Sequence, residues 1–141
     1  EAFKFLGKMV KSKGSRTERE LFHMFWDAGC GALRVAGSGS TPMPAPDLIA
    51  ATKSNLFAIE CKSGKSTRYI TKQQIEELIN FSKIFSAIPL VAIRFNNQPW
   101  YFLSIEQLKQ TPKGYEVSLQ FAQERGKMFD DIIVLQTNLK L

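Results

Sequence analysis

Leu21, Phe22, Phe25 and Ala28 recur at helical spacing, and glycines at 29 and 31 close the run. A polar and basic stretch, MVKSKGSRT at residues 9–17, leads into it. Ser15 suits the N-cap of such a helix, and Glu18 then stands at N3 as the second half of a capping box. Residues 32–35 read as a short strand. Residues 37–46 follow with two glycines and three prolines in ten positions, which predicts an irregular loop. Residues 47–51 and 56–62 then read as paired strands around a turn at 52–55.

A basic loop at residues 62–68 leads through Tyr69 and Ile70 to a second helix, with Thr71 at its N-cap and Gln74 at N3. Ile75, Leu78, Ile79 and Phe85 form its apolar stripe, and Phe81, Ile84 and Ile88 broaden it. Phe81 and Phe85 are therefore expected in the core. Residues 90–95 and 100–103 are two further strands, and Trp100, Tyr101 and Phe102 suit packing. Ser104 caps a short helix running to residue 108, 115–119 is an edge strand, and 121–135 mixes apolar positions with Asp130 and Asp131. Strands before and after a central helix predict an α/β domain with a central mixed β-sheet.

A chain of 141 residues is the size of one domain, here 9–141, with residues 1–8 as a terminal extension. Against 13 acidic residues stand 19 lysines and arginines, a formal charge of +6, which suits a polyanionic partner as well as simple solvation. Cys30 and Cys61 are the only cysteines, and apolar surroundings favour reduced thiols over a disulfide. Zinc-ligand spacing is absent, and no apolar run approaches the ~20 residues that span a bilayer, so no membrane partner is expected.

The chemistry concentrates in PDLIAATKSNLFAIECK at residues 46–62. On one strand Glu60 and Lys62 share a face while Cys61 points to the other, and Asp47 begins the neighbouring strand. Phosphodiester hydrolysis needs a cation beside the phosphate, a deprotonated water and stabilisation of developing negative charge. Asp47 and Glu60 supply hard oxygens for Mg²⁺, with Mn²⁺ as a substitute, and the Cys61 carbonyl is a further ligand candidate. Lys62 either orients the water or neutralises phosphoryl oxygens; an ordinary salt bridge with Glu60 is the alternative. Glu18 is a third carboxylate, as a ligand or as a cap. Arg19 and Arg34 are phosphate-neutralising candidates, and Arg16 a DNA contact outside the centre.

The stretches KGSRTERE at 13–20, LRVAGSGS at 33–40, PDLIA at 46–50 and IECKS at 59–63 stand in family order with the helix that carries Gln74. On these the chain resembles the archaeal Holliday-junction resolvase family over most of residues 11–108. The resemblance implies a restriction-endonuclease-like fold and a homodimer that cuts four-way DNA junctions. It implies that Glu18, Asp47 and Glu60 are active-site acids and Lys62 the catalytic lysine. Arg19 and Arg34 then support binding or cleavage, Ser38 and Ser40 lie in a DNA-facing loop with Ser40 supporting catalysis, and Gln74 lies near the centre. A C₂ dimer presents two equivalent centres to a nearly symmetric junction. Basic segments with Lys11, Lys13 and Arg16, and with Lys65, Arg68 and Lys72, would track duplex arms by phosphate contacts, Tyr69 assisting. Another restriction-like nuclease and a non-catalytic DNA-binding homologue are the alternatives. A cytoplasmic or nucleoid-associated setting, cellular or viral, fits either.

Overall fold

The computed structural model describes the backbone at residues 2–36 and 42–135, and the side chains from residue 14 onward within those ranges except at Ser15. Ser38, Ser40 and the side chains of Lys11 and Lys13 lie outside the described residues.

Helix α1 (Ala2–Asp27) ends against the turn at Gly29. It leads to β1 (Gly31–Arg34), β2 (Leu48–Ala51) and β3 (Leu56–Gly64). A short strand β4 (Arg68–Thr71) enters helix α2 (Lys72–Phe85), followed by β5 (Ile88–Phe95) and β6 (Trp100–Leu103). A 3-10 turn at Ile105–Gln107 precedes β7 (Lys109–Thr111) and β8 (Gly114–Val117), and helices α3 (Leu119–Arg125) and α4 (Phe129–Val134) complete the described chain.

Five strands form the central sheet in the order β1-β2-β3-β5-β6. Neighbours are antiparallel except β3 and β5, which run parallel because α2 carries the chain back between them. Such a central strand is covered on both faces and must be apolar on both. On β3, Phe57 and Ile59 pack with Leu21 and Phe25 of α1, whereas Ala58 packs with Ile75, Leu78 and Phe81 of α2. On β6 the same alternation sends Trp100 and Phe102 to the α1 side and Tyr101 and Leu103 to the α2 side.

Several expectations are corrected. Helix α1 continues through residues 15–18, so Ser15 and Glu18 lie in the helix interior and not at its N-terminus. The second helix stops at Phe85, where Ser86 takes the left-handed conformation (φ 53), and Ile88 belongs to β5. Phe81 is buried, as expected. Phe85 stacks on it at 4.1 Å but is 51% exposed, and Ile84 is 76% exposed, because a 14-residue helix on a sheet buries one face only. Strand β8 is no edge strand: it is the middle of a second sheet, ordered β4-β8-β7, whose two outer strands were not anticipated. The segment 121–135, to which the pattern assigned no element, falls mainly in α3 and α4, with the Lys127 bridge to β6 between them.

The expected cap of α2 is present in full. The Gln74 N–H donates to Thr71 Oγ1 and the Thr71 N–H donates to Gln74 Oε1, both at 3.0 Å. Thr71→Ala is expected to lower stability by about 1 kcal/mol, and Thr71→Ser, which keeps the acceptor, by less. Urea unfolding measures both; an unchanged midpoint in Thr71→Ala would show that the cap contributes nothing.

Candidate active site

Asp47 sits immediately before β2 and is held at three points. Its carbonyl accepts from the Val35 N–H at 3.0 Å, and its own N–H donates to the Ile59 carbonyl at 3.1 Å. Its carboxylate Oδ2 accepts from the Cys61 N–H at 2.8 Å. Leu48 pairs with Ile59 in the register, so one step back along β2 brings Asp47 beside Glu60. The preceding Pro46 is buried and offers no N–H of its own.

Glu60 and Lys62 leave β3 on the same face, with Lys62 Nζ 3.8 Å from Glu60 Oε1. Cys61 turns the other way into the α1-side core, and burial pushes its thiol far toward the protonated form. Both cysteines are free. From α1, Glu18 reaches the same place, its Oε2 accepting from Arg34 Nη2 of β1 at 3.3 Å. Two helices and the sheet between them thus enclose an open pocket of about 330 Å³, lined by Glu18, Asp47, Glu60, Lys62, Gln74 and Glu77.

The electrostatics follow from crowding acids on a half-buried surface. Burial, then the neighbouring Asp47 charge, raise the Glu60 carboxyl to about 8, and Lys62 opposes the shift. A hydrogen bond with Asp47 and the Glu18 charge raise it further. Glu18 is raised by burial and by Asp47, against the hydrogen bond and charge of Arg34. The Arg34 Nε–H is buried with no acceptor among the described residues, a polar group that costs free energy until something accepts from it. Among the described residues no three carboxylate, thiol or imidazole groups close round one point as they would in a protein-enclosed ion site.

Glu18, Asp47, Glu60, Lys62 and Gln74 are therefore brought together, with Cys61 in the wall and Arg34 behind Glu18. Arg19 is exposed on α1 and does not line the pocket. Arg16 lines a different cleft with Thr17, Glu20, Ser63, Arg94 and Asn96. Arg68 is folded onto its own turn, donating to the Ser63, Ser66 and Thr67 carbonyls. Gly64 permits this, since a Cβ there would lie 2.7 Å from Arg68 Nη1. Lys65, Tyr69 and Lys72 are exposed beyond the pocket. Sequence reasoning missed Glu77, for which the three-residue step from Gln74 along a helix was the available signal. It also missed Glu20, whose Oε1 accepts from Arg94 Nε at 2.7 Å and from the Trp100 indole N–H at 2.9 Å. Partners so far apart in the chain leave no local pattern.

The profile of the family described as archaeal Holliday junction resolvase (Hjc) matches residues 9–140. The crossover junction endodeoxyribonuclease Hjc of Archaeoglobus fulgidus is 35% identical over 130 residues, 86% of this chain and 96% of that protein. Its counterpart in Methanocaldococcus jannaschii is 39% identical over 106 residues, 74% of this chain and 75% of that protein. The solved structure of Archaeoglobus fulgidus Hjc, a Holliday junction resolvase from an archaeal hyperthermophile, superposes with a TM-score of 0.77 at 30% identity. That superposition covers 83% of this chain and 95% of the other, so the five-stranded mixed sheet between α1 and α2 is the restriction-endonuclease-like fold of that relative. By profile, by sequence and by fold, the chain belongs to the archaeal Holliday junction resolvase family.

Proposed function

We propose that this chain is a homodimeric, Mg²⁺-dependent endonuclease that resolves four-way DNA junctions by paired incisions, with Asp47, Glu60 and Lys62 as its reaction centre. The observation that carries this is the meeting of Glu18, Asp47, Glu60 and Lys62 in one open pocket of a family member. A divalent cation fits the donor set. Burial and the Asp47 charge disfavour the ionised form of Glu60, and a hard cation removes the same repulsion. Mg²⁺ keeps several of its waters and does not require three protein carboxylates, so two acids with Glu18 and the Cys61 carbonyl beside them suffice; Mn²⁺ can replace it.

Bound by Asp47 and Glu60, the ion supplies a Lewis acid for the phosphate and an acidified water. The Cys61 N–H fixes the Asp47 carboxylate, so the acid is oriented before DNA arrives. Lys62 neutralises phosphoryl oxygens and its ammonium keeps Glu60 beside it. Arg34 holds Glu18 through one nitrogen and keeps the Nε–H for an incoming phosphate. Gln74 braces the pocket wall, Arg19 supports the reaction from outside it, Ser40 has a supporting role in the reaction, and Lys11, Lys13, Arg16, Ser38, Lys65, Arg68, Tyr69 and Lys72 contact the arms. Such contacts read backbone shape rather than base sequence. Two opposed incisions call for two centres, and the exposed Ile84 and Phe85 of α2 give a C₂ dimer its apolar surface.

Asp47→Asn and Glu60→Gln are expected to retain junction binding and to lose incision at least about a hundredfold, the scale set by perturbing metal centres. Cleavage of a mobile four-way junction, a fork and a linear duplex, in Mg²⁺ and in EDTA, checks both the centre and the substrate. Normal cutting by either variant would sink the centre, and equal cleavage of linear duplex would favour a general restriction-like nuclease instead.

The proton held by Glu60 sets a pH dependence. Its folded value of about 8 lies above the ordinary 4.5, so the folded state binds more protons in between. Its contribution is fully present below the ordinary value and is lost as pH rises through about 8. In EDTA the melting temperature should fall across that range, and Glu60→Gln should flatten the fall; a fall of the same steepness in the variant would assign it elsewhere. For the dimer, sedimentation of the unliganded protein is expected to give two chains, and Ile84→Ser with Phe85→Ser to give one. A wild-type monomer at assay concentrations would overturn the two-centre scheme.

A further inference from the structure

The small sheet β4-β8-β7 carries chemistry that the reaction pocket does not use. Its strands and the segments that flank them hold five cationic residues, Lys65, Arg68, Lys72, Lys109 and Lys113, against two acids, Glu106 and Glu116. Two of the cations are already engaged: Lys109 pairs with Glu116 at 3.1 Å, and Arg68 is bound to carbonyls of its own turn. Lys113 has no ion pair among the described residues, and it lines a cleft of about 220 Å³ with Tyr69, Thr71, Thr111 and Gly114.

Each of these residues has a reason to be there. Tyr69 alternates with the buried Ile70 along β4, which leaves its ring 67% exposed on a strand that is paired to β8. Gly114 leaves the cleft unfilled: its φ is +151, and a Cβ would lie 2.5 Å from the Ile70 carbonyl oxygen. The Thr71 hydroxyl accepts from the Gln74 N–H and still has its own hydrogen to donate.

Thr71 lines this cleft and Gln74 lines the reaction pocket, and the capping box joins the two residues by hydrogen bonds of 3.0 Å in each direction. The first turn of α2 is thus one wall with a site on each side. We infer that the cleft holds the sugar–phosphate backbone of the strand being cut, a few nucleotides from the incised phosphate. Lys113 and the Thr71 and Thr111 hydroxyls meet a phosphate, and the Tyr69 ring lies against a deoxyribose. This rests on the proposed action on DNA and adds a residue, Lys113, and a strand path to it. The partner is a polyanion because cations outnumber acids here by five to two and Lys113 has no ion pair among the described residues. Backbone is a better match than a base edge because most protein–DNA hydrogen bonds go to phosphate and sugar, and one ammonium with two threonine hydroxyls offers no paired donor–acceptor pattern to a base.

Binding of a fluorescent four-way junction, titrated against salt in EDTA, tests the inference. Lys113→Ala should reduce the slope of log affinity against log salt by about one and weaken binding. Tyr69→Ala should weaken it several-fold with the slope unchanged, and Tyr69→Phe should restore it. Lys53→Ala, an equal loss of charge on the exposed β2–β3 turn, is the control and should leave the slope near wild type. Once the incision is mapped, junctions with one neutral methylphosphonate at each of the three phosphates on either side locate the contact. At one of these the wild type should lose affinity and Lys113→Ala should be indifferent. If Lys113→Ala behaves like Lys53→Ala, or its loss adds to every methylphosphonate loss, the cleft assignment is wrong while the reaction centre stands. If the wild type binds no junction at all, the proposed function fails and this inference with it.

Discussion

A slip of one residue between β2 and β3 would turn Leu48 and Ala50 away from the α1-side core and move Asp47 off the Cys61 N–H in the same step. Both effects come from one register, in which Leu48 pairs with Ile59 and Ala50 with Phe57. The apolar pairs are fully buried, so the fold cannot accept the alternative. The acids are held by the same register but gain nothing from one another, since burial and mutual repulsion raise Glu60 and Glu18 together. Packing energy therefore maintains a cluster that its own electrostatics would disperse.

That arrangement explains the division of labour along β3. Its middle residues are buried on both faces and join the two cores, one under each helix. Toward its end the strand outlasts its antiparallel partner: β2 pairs only as far as Leu48 with Ile59, while the parallel pairing with β5 continues to Gly64. Glu60 and Lys62 thus stand on a strand held rigidly from one side and open on the other. Helix α1 adds Glu18 from across the sheet, and its placement is set by contacts distant in sequence. Leu21 and Phe25 are buried beneath it, Thr17 donates to Ser63 at 3.1 Å, and Glu20 accepts from Arg94 and Trp100.

The edges of the central sheet are managed in different ways. On β1 the Ala32 carbonyl accepts from the Trp26 indole N–H at 3.0 Å, which occupies a group that an edge strand would otherwise leave open. On β6 the edge is met by the Phe102–Lys127 bridge, in which each residue's N–H donates to the other's carbonyl at 2.8 Å. The described chain ends near the β2–β3 turn, where the buried Asn55 carboxamide donates to the Leu135 carbonyl. These contacts leave the α2 surface at Ile84 and Phe85 as an exposed apolar face next to the reaction pocket's helix.

The chain's local patterns determined the α2 capping box, the strands at 100–103 and around Asp47, and the shared face of Glu60 and Lys62, because capping and strand parity act over a few residues. Spacing alone also carried the acid–lysine motif, and motif order carried the family. What depended on distant partners was not legible. The outward turn of Phe85 was decided by which face of α2 the sheet could cover, and the small sheet by short strands that pair across some 45 residues, as Ile70 does with Tyr115. The interior position of Glu18 followed from a helix longer than its apolar stripe suggested. Its nearness to Asp47 could come only from packing α1 across the sheet, since residue spacing within one element says nothing about where another element will lie.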